Sequence, residues 1–395
     1  FVRVNAGETA MEFRTPAQVL IDIGANTGPT SSALTPAATV DIDLADDDYL
    51  TLDLDQNTTI TMSNVAAGVD TFSLKLTGHA VTTSLYDLSA GTFANKSISV
   101  AGQEATPDAL AFSSDGAKAY VSGSGDKVFQ YTLSIPWDLS TALYLGVYYD
   151  AGTQSNIVVG LAFSADGTKM FVLCSSTDYV YQYTLSTAWD VSTASYASIS
   201  FSTVSQDTYP ESLRFSVDGT KMYVLGGGND YVYQYTLSTA WDLSTASYAN
   251  KSCSVVGQNA YTEGLEFSVD GTKMFVVSRN FSYLYQYTLS TAWDVSTASY
   301  ASINLDLAPT ADAPSDLVIG NGGKNLYVLD QTNDAIYQYS IDGSVYATVT
   351  YPAAFNFPVG LAPDVPKDDV VNVLDFVTTD GGTTWYGTQI GEDYK

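Results

Sequence analysis

The sequence predicts an all-β protein: a five-bladed β-propeller of 52-residue repeats, closed by an N-terminal fourth strand, inserted into a small β-sandwich and preceded by a short stalk segment. Three observations carry that expectation. An aromatic-Gln-Tyr triplet recurs with its glutamine at Gln130, Gln182, Gln234, Gln286 and Gln338, a constant step of 52. Within each step apolar residues recur with period two around a turn, as in Leu161, Phe163, Asp166-Gly167 and then Met170-Phe171-Val172-Leu173. A fragment that matches only the end of a repeat, Tyr86-Asp87-Leu88-Ser89 and Phe93-Ala94-Asn95-Lys96-Ser97, stands ahead of the first full one.

Residues 1–38 read as a stalk or linker with a short helix. Residues 39–80 and 343–390 read as β-rich pieces of about 40 residues, each too small to bury a core alone, so they should pair as one split sandwich. Their strands are expected at 40–44, 49–54, 58–62 and 71–76, then at 346–351, 371–378 and 384–386, with Asp380-Gly381-Gly382 as a turn. Between them, residues 81–342 form the propeller. Each unit supplies three antiparallel strands and, after a Trp-Asp turn such as Trp189-Asp190, a fourth at 195–201. Both faces of these strands are apolar or aromatic, as in sheets stacked between neighbours. The last unit, 316–341, has three strands, so the early fragment should complete it and leave no open sheet edge.

Composition excludes several classes. Against 43 Asp and Glu stand 15 Lys and Arg, a formal charge of -28, and no run of basic residues is present to neutralise phosphates. Nucleic acid is therefore not an expected partner, and membrane insertion is not expected either, for no apolar stretch reaches the roughly 18 to 20 residues that span a bilayer. Cys174 and Cys253 fall at non-equivalent repeat positions and read as two buried free thiols. The chain opens at Phe1 without an initiator Met, so targeting is not read from it.

Candidate chemistry follows from comparing the units. Asp-Gly and Trp-Asp turns are nearly identical throughout and should share one end of the ring, together with both junctions to the sandwich. Loops at the other, distal end differ, and loops on a rigid scaffold commonly carry recognition. Candidate ligand-binding residues there are Asp178, Tyr179, Tyr209, Glu211, Asp230, Tyr231, Tyr261, Glu263, Arg279 and Phe281. Asp108, Glu211 and Glu263 align four residues before the first-strand Phe, with Asp316 one step off that register. Together they are expected to ring the distal mouth, where a carboxylate set could hold calcium or serve as glycosidase acid and base, though Val159 interrupts the column. No catalytic residue is assigned, and no cofactor is required. Trp137, Trp189, Trp241 and Trp293 read as turns packed between blades, and the repeated glutamines as partners for buried backbone groups. His79, the only histidine, reads as a hinge residue, and Asp41, Asp43, Asp46, Asp47 and Asp48 as a solvated edge or a weaker calcium candidate.

The core Asp166-Gly167-Thr168-Lys169-Met170-Phe171-Val172 resembles propeller repeats found in bacterial surface proteins and phage virion proteins. The flanks are similar to a C-terminal domain of tailed-phage fibres. There, a strand like Phe72-Ser73-Leu74-Lys75-Leu76 leads through a hairpin to one like Ala347-Thr348-Val349-Thr350-Tyr351, and the end resembles Asp380-Gly381-Gly382-Thr383-Thr384-Trp385-Tyr386. The segment from Phe1 to Leu20 resembles a fibre stalk. The resemblance implies a virion-surface fibre or spike, homotrimeric, touching other virion proteins, and binding a host cell-surface glycan or protein without catalysis. Two rivals are a decoration or tail-assembly protein and a glycan-degrading fibre.

Overall fold

The structure is a computed structural model. It describes residues 85–343, apart from 155, 259 and 260, and in the flanking segments the backbone of the strands alone. Backbone contacts divide the chain into two units, Leu85–Gly343 and the paired flanks Phe1–Ser84 with Ser344–Lys395.

The first unit is a five-bladed propeller, each blade a four-stranded antiparallel sheet. Blade I comprises Pro107–Phe112, Lys118–Gly123, Lys127–Leu133 and Ala142–Asp150. Blade II comprises Val158–Phe163, Lys169–Cys174, Tyr179–Leu185 and Ala194–Ser202. Blade III comprises Pro210–Phe215, Lys221–Gly226, Tyr231–Leu237 and Ala246–Ser254. Blade IV comprises Thr262–Phe267, Lys273–Ser278, Tyr283–Leu289 and Ala298–Asp306. Blade V takes Pro314–Gly320, Asn325–Asp330 and Ala335–Ser340 from its own repeat.

Its fourth strand is the early fragment, Thr92–Ser99, paired antiparallel with Ala335–Ser340 from Ser99 opposite Ala335 to Thr92 opposite Ser340. Closure by the lone strand is thus as the repeat arithmetic predicts. Both ends of the ring's chain lie together, for Tyr86 N donates to Gly323 O at 2.9 Å and Asp87 N to Ile341 O at 3.0 Å.

The core lies between blades rather than within them. Phe171 and Leu173 of blade II, for example, pack with Leu213, Met222, Val224 and Tyr235 of blade III. Second strands are buried on both faces, which explains their unbroken apolar runs. The repeated glutamines bridge the same interfaces: Gln130, Gln182, Gln234 and Gln338 accept through Oε1 the backbone N–H of Val191, Leu243, Val295 and Leu139 at 2.9 to 3.1 Å. Gln286 Oε1 is buried without a partner, at the one interface where the adjoining turn belongs to the closing fragment.

The tryptophans are structural as well. Trp137, Trp189, Trp241 and Trp293 adopt left-handed backbone angles, φ 60 to 64°, and each ring covers the glycine of its blade's Asp-Gly turn. Each tryptophan's backbone N–H donates to that glycine's carbonyl at 2.9 to 3.1 Å. The Trp189 carbonyl in turn accepts from Lys118 Nζ and Tyr120 Oη of the preceding blade, both at 2.8 Å. Aromatic stacks cross the same boundary, such as Phe171 with Trp241 at 6.1 Å.

In the second unit, Asp70–Gly78 pairs antiparallel with Val371–Thr378, and Thr58–Ser63 runs parallel to Val349–Thr350, so the two flanking pieces do build common sheets. A five-stranded sheet orders Phe355–Asn356, Trp385–Asp393, Val371–Thr378, Asp70–Gly78 and Tyr49–Leu54; a three-stranded one joins Val349–Thr350, Thr58–Ser63 and Ala38–Asp43. Ala80–Thr82 pairs antiparallel with Val345–Tyr346. Val2–Arg3 pairs with Glu12–Phe13 near the N-terminus, and the short helix expected in that segment lies outside the described residues. So do His79 and the side chains of the Asp41 to Asp48 run.

Candidate functional site

The first strands of the five blades contact one another around the ring, so their side chains meet at its axis. Equivalent positions at the distal start of these strands hold Asp108, Val159, Glu211, Glu263 and Ser315. One residue further along stand Ala109, Gly160, Ser212, Gly264 and Asp316. Pairing with the second strand shifts register at this step in all five blades, and the carboxylates on either side of the shift meet different fates.

Asp316 is not at the mouth. It is wholly buried, its Oδ1 2.9 Å from Arg214 Nη2 and its Oδ2 accepting Leu110 N at 2.9 Å. Arg214 Nε also pairs with Glu266 Oε2 at 3.2 Å, and its Nη1 donates to Leu213 O at 2.8 Å. This network joins blades III, IV, V and I in the interior of the ring. Burial pushes the Asp316 and Glu266 carboxyls up, against the pull of Arg214. Burial disfavours the Arg214 charge, but the two carboxylates outweigh it and raise its pKa. Sequence reasoning missed the Arg214–Glu266 pair. Its signal was present: in the column Ala111, Ala162, Arg214, Glu266, Val318, opposite charges occupy adjacent blades of an otherwise apolar strand.

Asp108, Glu211 and Glu263 do face one another electrostatically. Glu263 Oε1 lies 3.4 Å from Arg279 Nη1, Arg279 Nη2 donates to Gln331 Oε1, and Gln331 Nε2 donates to Asp108 Oδ1. A relay thus runs from blade IV through blade V to blade I. Glu211, on blade III, takes no hydrogen bond from any described residue, yet it is half-buried. Burial, reinforced by Glu263, pushes Asp108 up to about 7 and Glu211 up to about 8. Glu263 is also raised by burial, with Arg279 opposing.

The four metal candidates Asp108, Glu211, Glu263 and Asp316 do not come together as one set. Asp316 is turned inward to Arg214, Glu263 to Arg279 and Asp108 to Gln331, and among the described residues no group of three or more metal-ligating side chains converges.

The loop candidates divide into displayed and structural residues. Tyr209, Tyr261 and Phe281 are 62 to 66% exposed. Tyr179 is 38% exposed and stacks on Tyr181 with ring centres 6.0 Å apart, while the half-buried Tyr231 stacks likewise on Tyr233. Asp230 is turned into the fold, whereas Asp178 is half-buried and its side chain accepts no hydrogen bond from a described residue. Both adopt left-handed angles in the turn between second and third strands, and the Asp178 carbonyl accepts Thr203 N at 2.8 Å. Asp230 is buried; its Oδ1 accepts Tyr261 N at 3.1 Å and Thr262 Oγ1 at 3.1 Å. Asp207, which the sequence did not single out, is buried as well and accepts Tyr209 N through Oδ1 at 2.7 Å. Cys174 and Cys253 are not joined in a disulfide; the first is buried and the second half-buried.

The mouth makes stability depend on pH with a definite sign. Unfolded, Asp108 and Glu211 ionise near their ordinary values of 3.8 and 4.5; folded, they ionise near 7 and 8. The unfolded chain then releases these protons first, so folding stability falls as pH rises from about 4 to about 8. The turn carboxylates Asp115, Asp166 and Asp218 act oppositely, for hydrogen bonds from Ser113, Ser164 and Ser216 hold them below the ordinary range. Their contribution is present above about pH 4 and is lost below it. The melting temperature is expected to peak between about pH 4 and 6, and Glu211→Gln should flatten the decline toward pH 8. Thermal melts across that range check this; an unchanged slope in the variant counts against it.

The sequence matches no known protein family and no curated protein. Solved structures are similar to it at low identity. One, provisionally assigned as a 6-phosphogluconolactonase of Bacteroides uniformis, is 16% identical with TM-score 0.39, covering 65% of this chain and 68% of that one. The Cps50 propeller domain of Myceliophteria thermophila is 12% identical with TM-score 0.37, covering 59% and 83%. The periplasmic gluconolactonase of Pseudomonas aeruginosa is 14% identical with TM-score 0.36, covering 72% and 69%.

Proposed function

We propose that the chain is a phage fibre or spike protein of the virion surface that presents its propeller to the host cell and binds a surface glycan or protein through the distal loops, without catalysis. One observation carries the reading. The end of the ring bearing the Asp-Gly and Trp-Asp turns is built from near-identical units, while the distal end displays Tyr209, Tyr261 and Phe281 and carries the half-buried Asp108, Glu211 and Glu263. Exposed aromatics next to half-buried polar groups are the composition of recognition surfaces. Homotrimeric assembly, as in the fibres the sequence resembles, would multiply weak single contacts into firm attachment. No cofactor is required. The test is competition: purified protein at saturating concentration should block adsorption of its particle to host cells. Failure to block, with no binding to any host surface, would sink the reading.

A second reading has one specific observation in its favour. Asp108 and Glu211 titrate near neutral pH, as a general acid does. A glycan-degrading fibre would release reducing ends from host envelope glycan and lose that activity in Glu211→Gln.

A further inference from the structure

Resting on the host-binding reading, we infer that the distal sector of blades III and IV is a two-subsite platform for a linear saccharide built of repeating residues without acidic groups. The sector carries one pattern twice. Tyr209-Pro210-Glu211 and Tyr261-Thr262-Glu263 occupy equivalent positions one 52-residue step apart, each placing an exposed tyrosine two residues before a half-buried carboxyl. At the tyrosine position the other blades carry Thr106, Ile157 and Ala313, so an aromatic at this position is confined to blades III and IV, where Phe281 of blade IV is a third exposed ring.

Both tyrosines are held from beneath. Tyr209 N donates to the buried Asp207, and Tyr261 N to the buried Asp230. Tyr261 keeps a left-handed angle of φ 78°, which a bulky side chain adopts only when its surroundings impose it. Both rings are largely exposed, 66% for Tyr209 and 63% for Tyr261, above a backbone held by those two aspartates.

The chemistry of the occupant follows from the groups. A pyranose offers an apolar C–H face and hydroxyls around its edge; an exposed tyrosine ring receives the face, and the adjacent carboxyl accepts or donates to the hydroxyls. Glu211 has this capacity open, having no hydrogen-bond partner among the described residues. Acidic sugars and phosphates are disfavoured, since the sector's cation, Arg279, is already shared between Glu263 and Gln331. Two like subsites related by one blade step match a ligand that presents the same unit twice, as a repeating polymer does.

Calorimetry with the full chain tests this, using maltohexaose, cellohexaose and N-acetylchitohexaose as neutral probes, their monosaccharides, and hexagalacturonate as the acidic control. At least one neutral hexamer should bind about tenfold or more tighter than its monosaccharide, and hexagalacturonate should not bind. Tyr209→Ala and Tyr261→Ala should each weaken the hexamer about tenfold, the equivalent of one lost contact of ~1.4 kcal/mol. Unchanged melting temperatures would show that both exposed-site variants fold. Absence of binding by every neutral hexamer, equal binding of hexagalacturonate, or wild-type affinity in both tyrosine variants would overturn the inference. The two readings separate cleanly. If a neutral hexamer binds but the protein fails to block adsorption, host binding falls and the platform stands. If both tyrosine variants block adsorption as well as the parent, the platform falls alone.

Discussion

Arg214→Met is expected to be among the most destabilising single substitutions in the propeller. The guanidinium is the one cation set between Glu266 and Asp316, at 3.2 and 2.9 Å, and its Nη1 also bonds the Leu213 carbonyl. Methionine matches much of its length but leaves two carboxylates without their counter-charge in the interior of the ring. Removing one partner of a buried pair costs about 3 to 5 kcal/mol. For a unit of this size that corresponds to a fall in melting temperature of roughly 6 to 20 °C. The triple variant Arg214→Met, Glu266→Gln, Asp316→Asn removes the stranded charges and should recover most of the loss. A single variant melting within about 2 °C of the parent would show that the network is not what holds blades III, IV and V at the axis.

Gly219→Ala should come next, through a different mechanism. Gly219 has φ +68°, and a Cβ there would lie 2.3 Å from the Trp241 ring, far inside contact distance. The substitution therefore adds backbone strain and displaces an indole that stacks on Phe215 and Phe171. Together these should cost about 2 to 4 kcal/mol. Gly322→Ala is the control. Its φ of +65° is similar, but nothing lies within 4 Å of the added atom, so strain alone remains, about 1 kcal/mol. Equal losses in denaturant unfolding of the two variants would mean that the tryptophan turn is not packed as described.

Much of the fold could be read from the chain because its signals are local and repeated. A step of 52 residues, Asp-Gly turns and period-two strands defined the blade, and the fragment before it defined the closing strand. The column Asp108, Glu211, Glu263 was legible for the same reason. Asp316 was misplaced because it stands one residue past the column, beyond a register shift that sequence alignment does not show. Asp230 looked like a contact residue because aspartate in a distal loop reads the same whether it meets a ligand or holds the backbone. Only its burial and the bonds from Tyr261 N and Thr262 Oγ1 separate the two uses.

By itself the sequence determined the all-β class, five blades, the lone closing strand and the acidic body with few cations. Tertiary structure alone decided that Arg214 neutralises Glu266 and Asp316 across three blades, that Arg279 links Glu263 to Gln331 and Asp108, and that two tyrosines stand exposed on buried aspartates. The physical reason is range. Turn and strand preferences act between neighbours in the chain, whereas an ion pair between residues 52 or 102 positions apart exists only after the ring closes and brings the first strands to one axis.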